Sequence, residues 1–80
     1  MQFKIKHLNA KEASKLSVLL KNYSCEALLK AGQYCIDGKS VLGILSIMES
    51  EPDDIILEIN ELPDELQAEL GAAMSHFLAN

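Results

Sequence analysis

Arginine and tryptophan are both missing from this 80-residue chain, and its seven lysines stand against twelve Asp and Glu for a net charge of −5. The first absence excludes most. Nucleic-acid binding draws on Lys and Arg to neutralise phosphates, and bidentate reading of a phosphate or a guanine edge favours the planar guanidinium fork. An acidic chain without that fork is a poor partner for nucleic acid or a nucleotide. Cysteine is scarce too: Cys25 and Cys35 are the two there are. They lie too far apart for a CxxC redox or zinc pattern, so free thiols, buried or half-buried, are expected. Two prolines and four glycines give neither a low-complexity nor a fibrous composition. No segment approaches the roughly 18 consecutive apolar residues that read as a membrane span. The opening residues, Met1 to His7, show no signal-peptide apolar stretch, which leads to the expectation of a cytoplasmic protein.

What is present is an ordinary globular pattern, 49% hydrophobic, read as a single domain over residues 1–80. A chain this short buries only about 60 to 65% of its unfolded surface, so its core is thin and no helix can be wrapped on every side. Residues 2 to 8 alternate, with Phe3, Ile5 and His7 on one face and Lys4 and Lys6 on the other, as a half-buried strand does. Asn9 closes that strand. From about Glu12 the spacing turns helical, with Ala13, Leu16, Leu19, Leu20 and Tyr23 on one stripe and an end near Asn22 to Ser24. Residues 26–30 and 33–36 read as a hairpin about the Ala31-Gly32 turn. Residues 55–59 are the strongest strand signal, after a polar loop containing Pro52. Pro63 and the acids that follow it open a last helix whose core stripe is Leu66, Leu70, Ala73 and Phe77, flanked by Leu62, Met74 and Leu78. The order strand, helix, strand, strand, helix, strand, helix predicts an α+β fold, a four-stranded antiparallel sheet covered on one face by helices.

The short helix in the middle carries more apolar surface than a core face can use. Six of the nine residues from Ser40 to Met48 are large and apolar: Val41, Leu42, Ile44, Leu45, Ile47 and Met48. At about 3.6 residues per turn they reach nearly every side of the helix, so part of this surface is either buried all round or meets a partner. Gly38-Lys39-Ser40 invites a phosphate-loop reading, yet that motif needs a further Gly five residues before Gly38, where Gln33 stands. Ser40 reads more simply as a helix cap, its hydroxyl accepting from an unpaired backbone N–H. A phosphate added there would sit at the positive end of the helix dipole, beside an apolar surface whose binding it could switch.

Little in the rest points to catalysis. His7 lies in or just after the first strand, and His76 is near the end of the last helix, where the dipole favours a cation. No second ligand is spaced to make a metal site with either, so no metal and no cofactor are expected. Glu12, read alone, is a first-turn acid of the first helix.

Asn9-Ala10-Lys11-Glu12-Ala13-Ser14-Lys15 followed by an amphipathic helix, with Gly38-Lys39-Ser40-Val41-Leu42-Gly43-Ile44-Leu45-Ser46-Ile47 downstream, resembles the HPr family. These are the histidine phosphocarrier proteins of the bacterial sugar phosphotransferase system. The resemblance spans nearly the whole chain and is most specific from Lys39 to Ile47, which is similar to the family's second helix. It implies an HPr-like open-faced sandwich, with Ser40 at the family's regulatory phosphorylation site. The family reads Asn-Gly-Leu-His-Ala-Arg-Pro where its first helix begins, and only Asn9 and Ala13 match. Glu12 stands at the phosphoacceptor histidine and Ser14 at the arginine. The nitrogen nucleophile and the fork that would hold a phosphoryl group are thus both lost.

In lacking the histidine while keeping the serine, the chain resembles the regulatory branch called catabolite repression HPr. That resemblance implies a protein-binding module rather than an enzyme. Val41, Leu42 and Leu45 would form the exposed partner-binding patch, with Ile44 and Ile47 turned to the core. The implied partners are an HPr kinase/phosphorylase acting on Ser40 and a transcriptional regulator or another phosphotransferase component. Two alternatives stand beside this: a phosphocarrier with an atypical acceptor, Glu12 or His7, and a homodimerising structural module.

Overall fold

The computed structural model describes residues 1–79. Strand β1 (Gln2–Lys4) leads to helix α1 (Ala10–Lys21), the hairpin β2 (Glu26–Ala31) and β3 (Tyr34–Asp37), helix α2 (Val41–Glu49), β4 (Ile56–Asn60) and helix α3 (Asp64–Ala73). A 3₁₀ turn, Met74–Phe77, runs on from α3. The sheet order is β1-β4-β2-β3, antiparallel throughout, so the expected four-stranded fold is the one observed.

Alternation explains why the helices cover only one face. Ala27, Leu29 and Ala31 of β2 and Leu57 and Ile59 of β4 are buried, as are Ala13, Leu16 and Leu20 of α1, Ile44, Ile47 and Met48 of α2, and Leu70 of α3. Successive strand residues point to opposite faces, so the residues between them stand on the other side of the sheet. There Lys30 Nζ pairs with the Glu58 carboxylate at 2.7 Å. Asn60 Nδ2 donates to Glu26 and to Glu58, each at 2.9 Å. Leu28 and Ile56 share this side, half-buried among the polar groups.

Local chemistry moves several boundaries. Helix α1 starts two residues earlier than the apolar spacing suggests, because Asn9 is its N-cap: its side chain accepts from the Glu12 N–H, and Glu12 accepts from the Asn9 N–H. This reciprocal pair is a capping box. The first strand is shorter than its alternation. Beyond Lys4 the chain makes one bridge, Ile5 to Leu78, and the Lys6 N–H bonds to the Phe77 carbonyl. In the last helix the 3₁₀ turn draws Met74 fully into the core, whereas Ala73 and Leu66 are half-buried. Cys25 is half-buried as expected, but Cys35 is exposed, because strand alternation puts it on the opposite side from Ile36.

Two tight fits fix α2 against the sheet. A Cβ at Gly38 would lie 3.0 Å from Leu57 Cδ1, and one at Gly43 would lie 2.7 Å from Ile36 Cδ1. Glycine at these two positions lets the loop and helix approach the strands closely.

Candidate functional site

The loop from Asp37 to Ser40 delivers α2 to the surface in a fixed pose. Lys39 N–H donates to the Asp37 carboxylate at 2.9 Å, and Ser40 N–H to the Asp37 carbonyl at 3.1 Å. Ser40 is extended (φ −94°, ψ 117°), and its Oγ accepts from the Gly43 N–H at 3.1 Å. Lys39 Nζ donates to the Tyr23 carbonyl at 2.8 Å, just beyond the C-terminus of α1, and the buried Ser17 Oγ donates to the Lys39 carbonyl at 2.6 Å. Gly38, Lys39 and Ser40 therefore hold, respectively, a close approach to the sheet, a link to α1 and a helix cap. Ser17 is the neighbour of this loop that the sequence pattern does not reveal, since a serine within an amphipathic stripe carries no sign of a tertiary acceptor.

On α2 the core side and the outer side separate. Ile44 and Ile47 are buried, as the resemblance implies. Leu42 is 81% exposed, while Val41 and Leu45 are half-buried, with Leu45 packed against the core cluster. Val41, Leu45 and Met48 follow at i, i+4 and i+7, one flank of the helix. Met48 orients that flank: its Sδ lies 3.3 Å from the Leu8 N–H, and its carbonyl accepts from His7 Nε2 at 2.9 Å. So the flank faces the segment entering α1, and the exposed apolar surface narrows to Leu42, edged by the half-buried Val41 and Leu45. The first turn of α2 carries no acid, leaving the positive pole beside Ser40 without an acidic neighbour on the helix.

At the start of α1 the residues that the resemblance sets against a relay site are engaged within the fold. Glu12 uses one carboxylate oxygen on the Asn9 N–H at 3.1 Å and the other on Lys6 Nζ at 2.8 Å. The hydrogen bond from Lys6, and then that from the Asn9 backbone, hold the Glu12 carboxyl below its usual range. A stabilised, doubly engaged carboxylate is a weak nucleophile. Ser14 is exposed on α1. Glu12 and Lys6 line an open cleft of about 360 Å³ with Lys15, His76 and Phe77. Nothing in the sequence brings His76 to Glu12; the Ile5–Leu78 bridge does. His7, engaged with Met48, belongs to the α2 side instead. Among the described residues no group of three or more His, Cys, Asp or Glu side chains is placed to hold a metal ion, and no helix is long and apolar enough to cross a membrane.

The sheet order and the helices on one face define an HPr-like open-faced sandwich. No protein-family model matches the chain, and none of the curated proteins does.

Proposed function

We propose that this chain is an HPr-like protein of the phosphotransferase-system family that acts by protein contact rather than by phosphoryl relay. Its contact surface is Val41, Leu42 and Leu45, regulated by phosphorylation of Ser40. The observation that carries this reading is Leu42: a large apolar side chain left 81% exposed on a helix that has no charged residue before Glu49. Such a residue contributes nothing to the core and suits a partner's pocket.

Ser40 supports the regulatory part. Its hydroxyl already sits on the N-terminal N–H of Gly43, where a phosphate dianion is stabilised by the helix dipole, and it adjoins Leu42's turn. The engaged carboxylate of Glu12 speaks against a relay through an acyl phosphate. The implied partners are a kinase of the HPr kinase/phosphorylase type and a transcriptional regulator, met in a bacterial cytoplasm.

Binding of the Ser40→Asp protein to a transcriptional regulator that recognises serine-phosphorylated HPr tests the contact. Leu42→Asp in that background should abolish binding while the fold persists. Undiminished binding would move the contact elsewhere. Phosphoenolpyruvate with the first enzyme of the phosphotransferase system should leave the chain unlabelled; acid-labile or acyl phosphate on His7 or Glu12 would restore the carrier reading. A stable dimer that survives dilution with Leu42 buried would make the patch a homodimer interface.

A further inference from the structure

The cleft at the start of α1 has walls fixed by backbone bonds. The chain beyond the 3₁₀ turn runs back beside the first strand. The Ile5–Leu78 bridge, the Lys6 N–H on the Phe77 carbonyl and the Ala79 N–H on the Lys4 carbonyl, each bond at 2.9 Å, hold that pairing and with it His76 and Phe77. Glu12 and Lys15 stand about one turn apart on α1, whose entry is set by the capping box with Asn9. Lys6 joins the two walls through its 2.8 Å bond to Glu12. The space between them, about 360 Å³, is near the lower end of the roughly 300–1,000 Å³ usual for small-molecule sites.

Donors and acceptors on these walls do not balance. Both Glu12 oxygens are taken, one by the Asn9 N–H and the other by Lys6. Lys6 keeps two further N–H groups to give. Lys15 and His76 have no ion-pair or hydrogen-bond partner among the described residues. With Glu12 set against Lys6, the cleft retains the Lys15 cation and the His76 ring, in a chain whose net charge is −5. A cationic cleft in an acidic chain selects an anion. Lys6 chiefly, and Lys15 more weakly, lower the Glu12 carboxyl, so the Lys15 charge acts in the same space. Phe77, only 7% exposed, adds an apolar wall. That wall favours an anion with an apolar body over a bare phosphate, and two ammonium groups lack the planar fork that grips a phosphate bidentately.

We propose that this cleft binds a small amphipathic carboxylate, an aryl or alkyl acid of about ten non-hydrogen atoms. The carboxylate bonds to Lys15 Nζ, with Lys6 and His76 beside it, and the apolar body lies against Phe77. The site is independent of the proposed contact on α2, because it uses no residue of that helix.

The test is a titration of the ¹⁵N-labelled full chain, at constant ionic strength, with phenylacetate, its neutral counterpart phenylacetamide, acetate and inorganic phosphate. Phenylacetate should shift, saturably, the amides of Lys6, Glu12, Lys15, His76 and Phe77, with a Kd on the order of 1 mM. Phenylacetamide and acetate should each bind about threefold to tenfold more weakly, one for want of charge and the other for want of an apolar body. Lys15→Gln, an exposed change, should weaken phenylacetate about twofold to fivefold. Glu12→Gln, which keeps the capping-box acceptor, should tighten it by about the same factor, because it frees Lys6 and removes a like charge. Four results would overturn the proposal: no saturable shift in the cleft, equal affinity for phenylacetamide, inorganic phosphate binding as tightly as phenylacetate, or an affinity that Lys15→Gln leaves unchanged. If Glu12→Gln does not fold, the response of Lys15→Gln decides.

Discussion

The Ser17 hydroxyl, wholly buried in α1, donates a 2.6 Å hydrogen bond to the backbone carbonyl of Lys39, one residue before the cap of α2. With Met48 held to Leu8 and His7 at the other end, it makes the pose of α2 a property of α1. Removing the hydroxyl strands a carbonyl in a part-buried position. Ser17→Ala should cost roughly 1 to 3 kcal/mol in urea unfolding. It should also disturb the Ser40 and Gly43 amide signals, although the substitution lies in another helix.

The two sides of α2 predict opposite mutational behaviour. Ile44 is buried completely, so Ile44→Ala should cost about 2 to 5 kcal/mol. Leu42→Ala should change stability by no more than about 0.5 kcal/mol, as surface substitutions do. Chemical denaturation of the two variants measures the contrast directly, and a large loss for Leu42→Ala would mean the residue serves the fold.

Two helix glycines should respond differently to alanine. At Gly71 in α3 an added Cβ meets nothing within 4 Å, so Gly71→Ala should stabilise by about 0.8 to 1 kcal/mol. At Gly43 the same methyl would press on Ile36 Cδ1, so Gly43→Ala should gain less or lose outright. Thermal melts of both variants make the comparison.

Stability should fall at acid pH for identifiable reasons. The hydrogen bond from Lys6 lowers the Glu12 carboxyl, and those from Lys30 and then Asn60 lower the Glu58 carboxyl, both from an ordinary value of 4.5. A group depressed in the folded state contributes stability above its unfolded pKa and loses it as pH falls through the folded one. The loss therefore begins near the ordinary carboxylate range and continues below it. Lys6→Ala should flatten this acid limb. Lys30, raised chiefly by Glu58, works in the other direction: its contribution is present below its ordinary 10.5 and is lost as pH rises through the higher folded value.

How far the sequence carries the structure can be followed residue by residue. The α2 run was legible in part. Six large apolar residues on a short helix cannot all be buried, but of the expected exposed patch Val41, Leu42 and Leu45 only Leu42 is exposed, because Val41 and Leu45 lie on the flank of Met48. Ser40 was legible because capping is local. The sheet followed from alternation and the Gly32 turn, whose φ of 59° requires a residue tolerant of the left-handed region. Tertiary geometry hid the rest. Ser17 bonds across 22 positions, and His76 reaches the Glu12 cleft only because the C-terminal segment bridges back to Ile5. Met74 enters the core through a 3₁₀ tightening that a uniform helical period does not foresee. Cys35 owes its exposure to strand alternation at the sheet edge, not to its residue type.

For the proposed regulated contact surface on α2, the most direct measurement is mass spectrometry of the intact folded chain after incubation with an HPr kinase/phosphorylase and ATP. One added phosphate is expected, mapped to Ser40 and absent from Ser40→Ala. A folded chain that stays unmodified at Ser40 would contradict it.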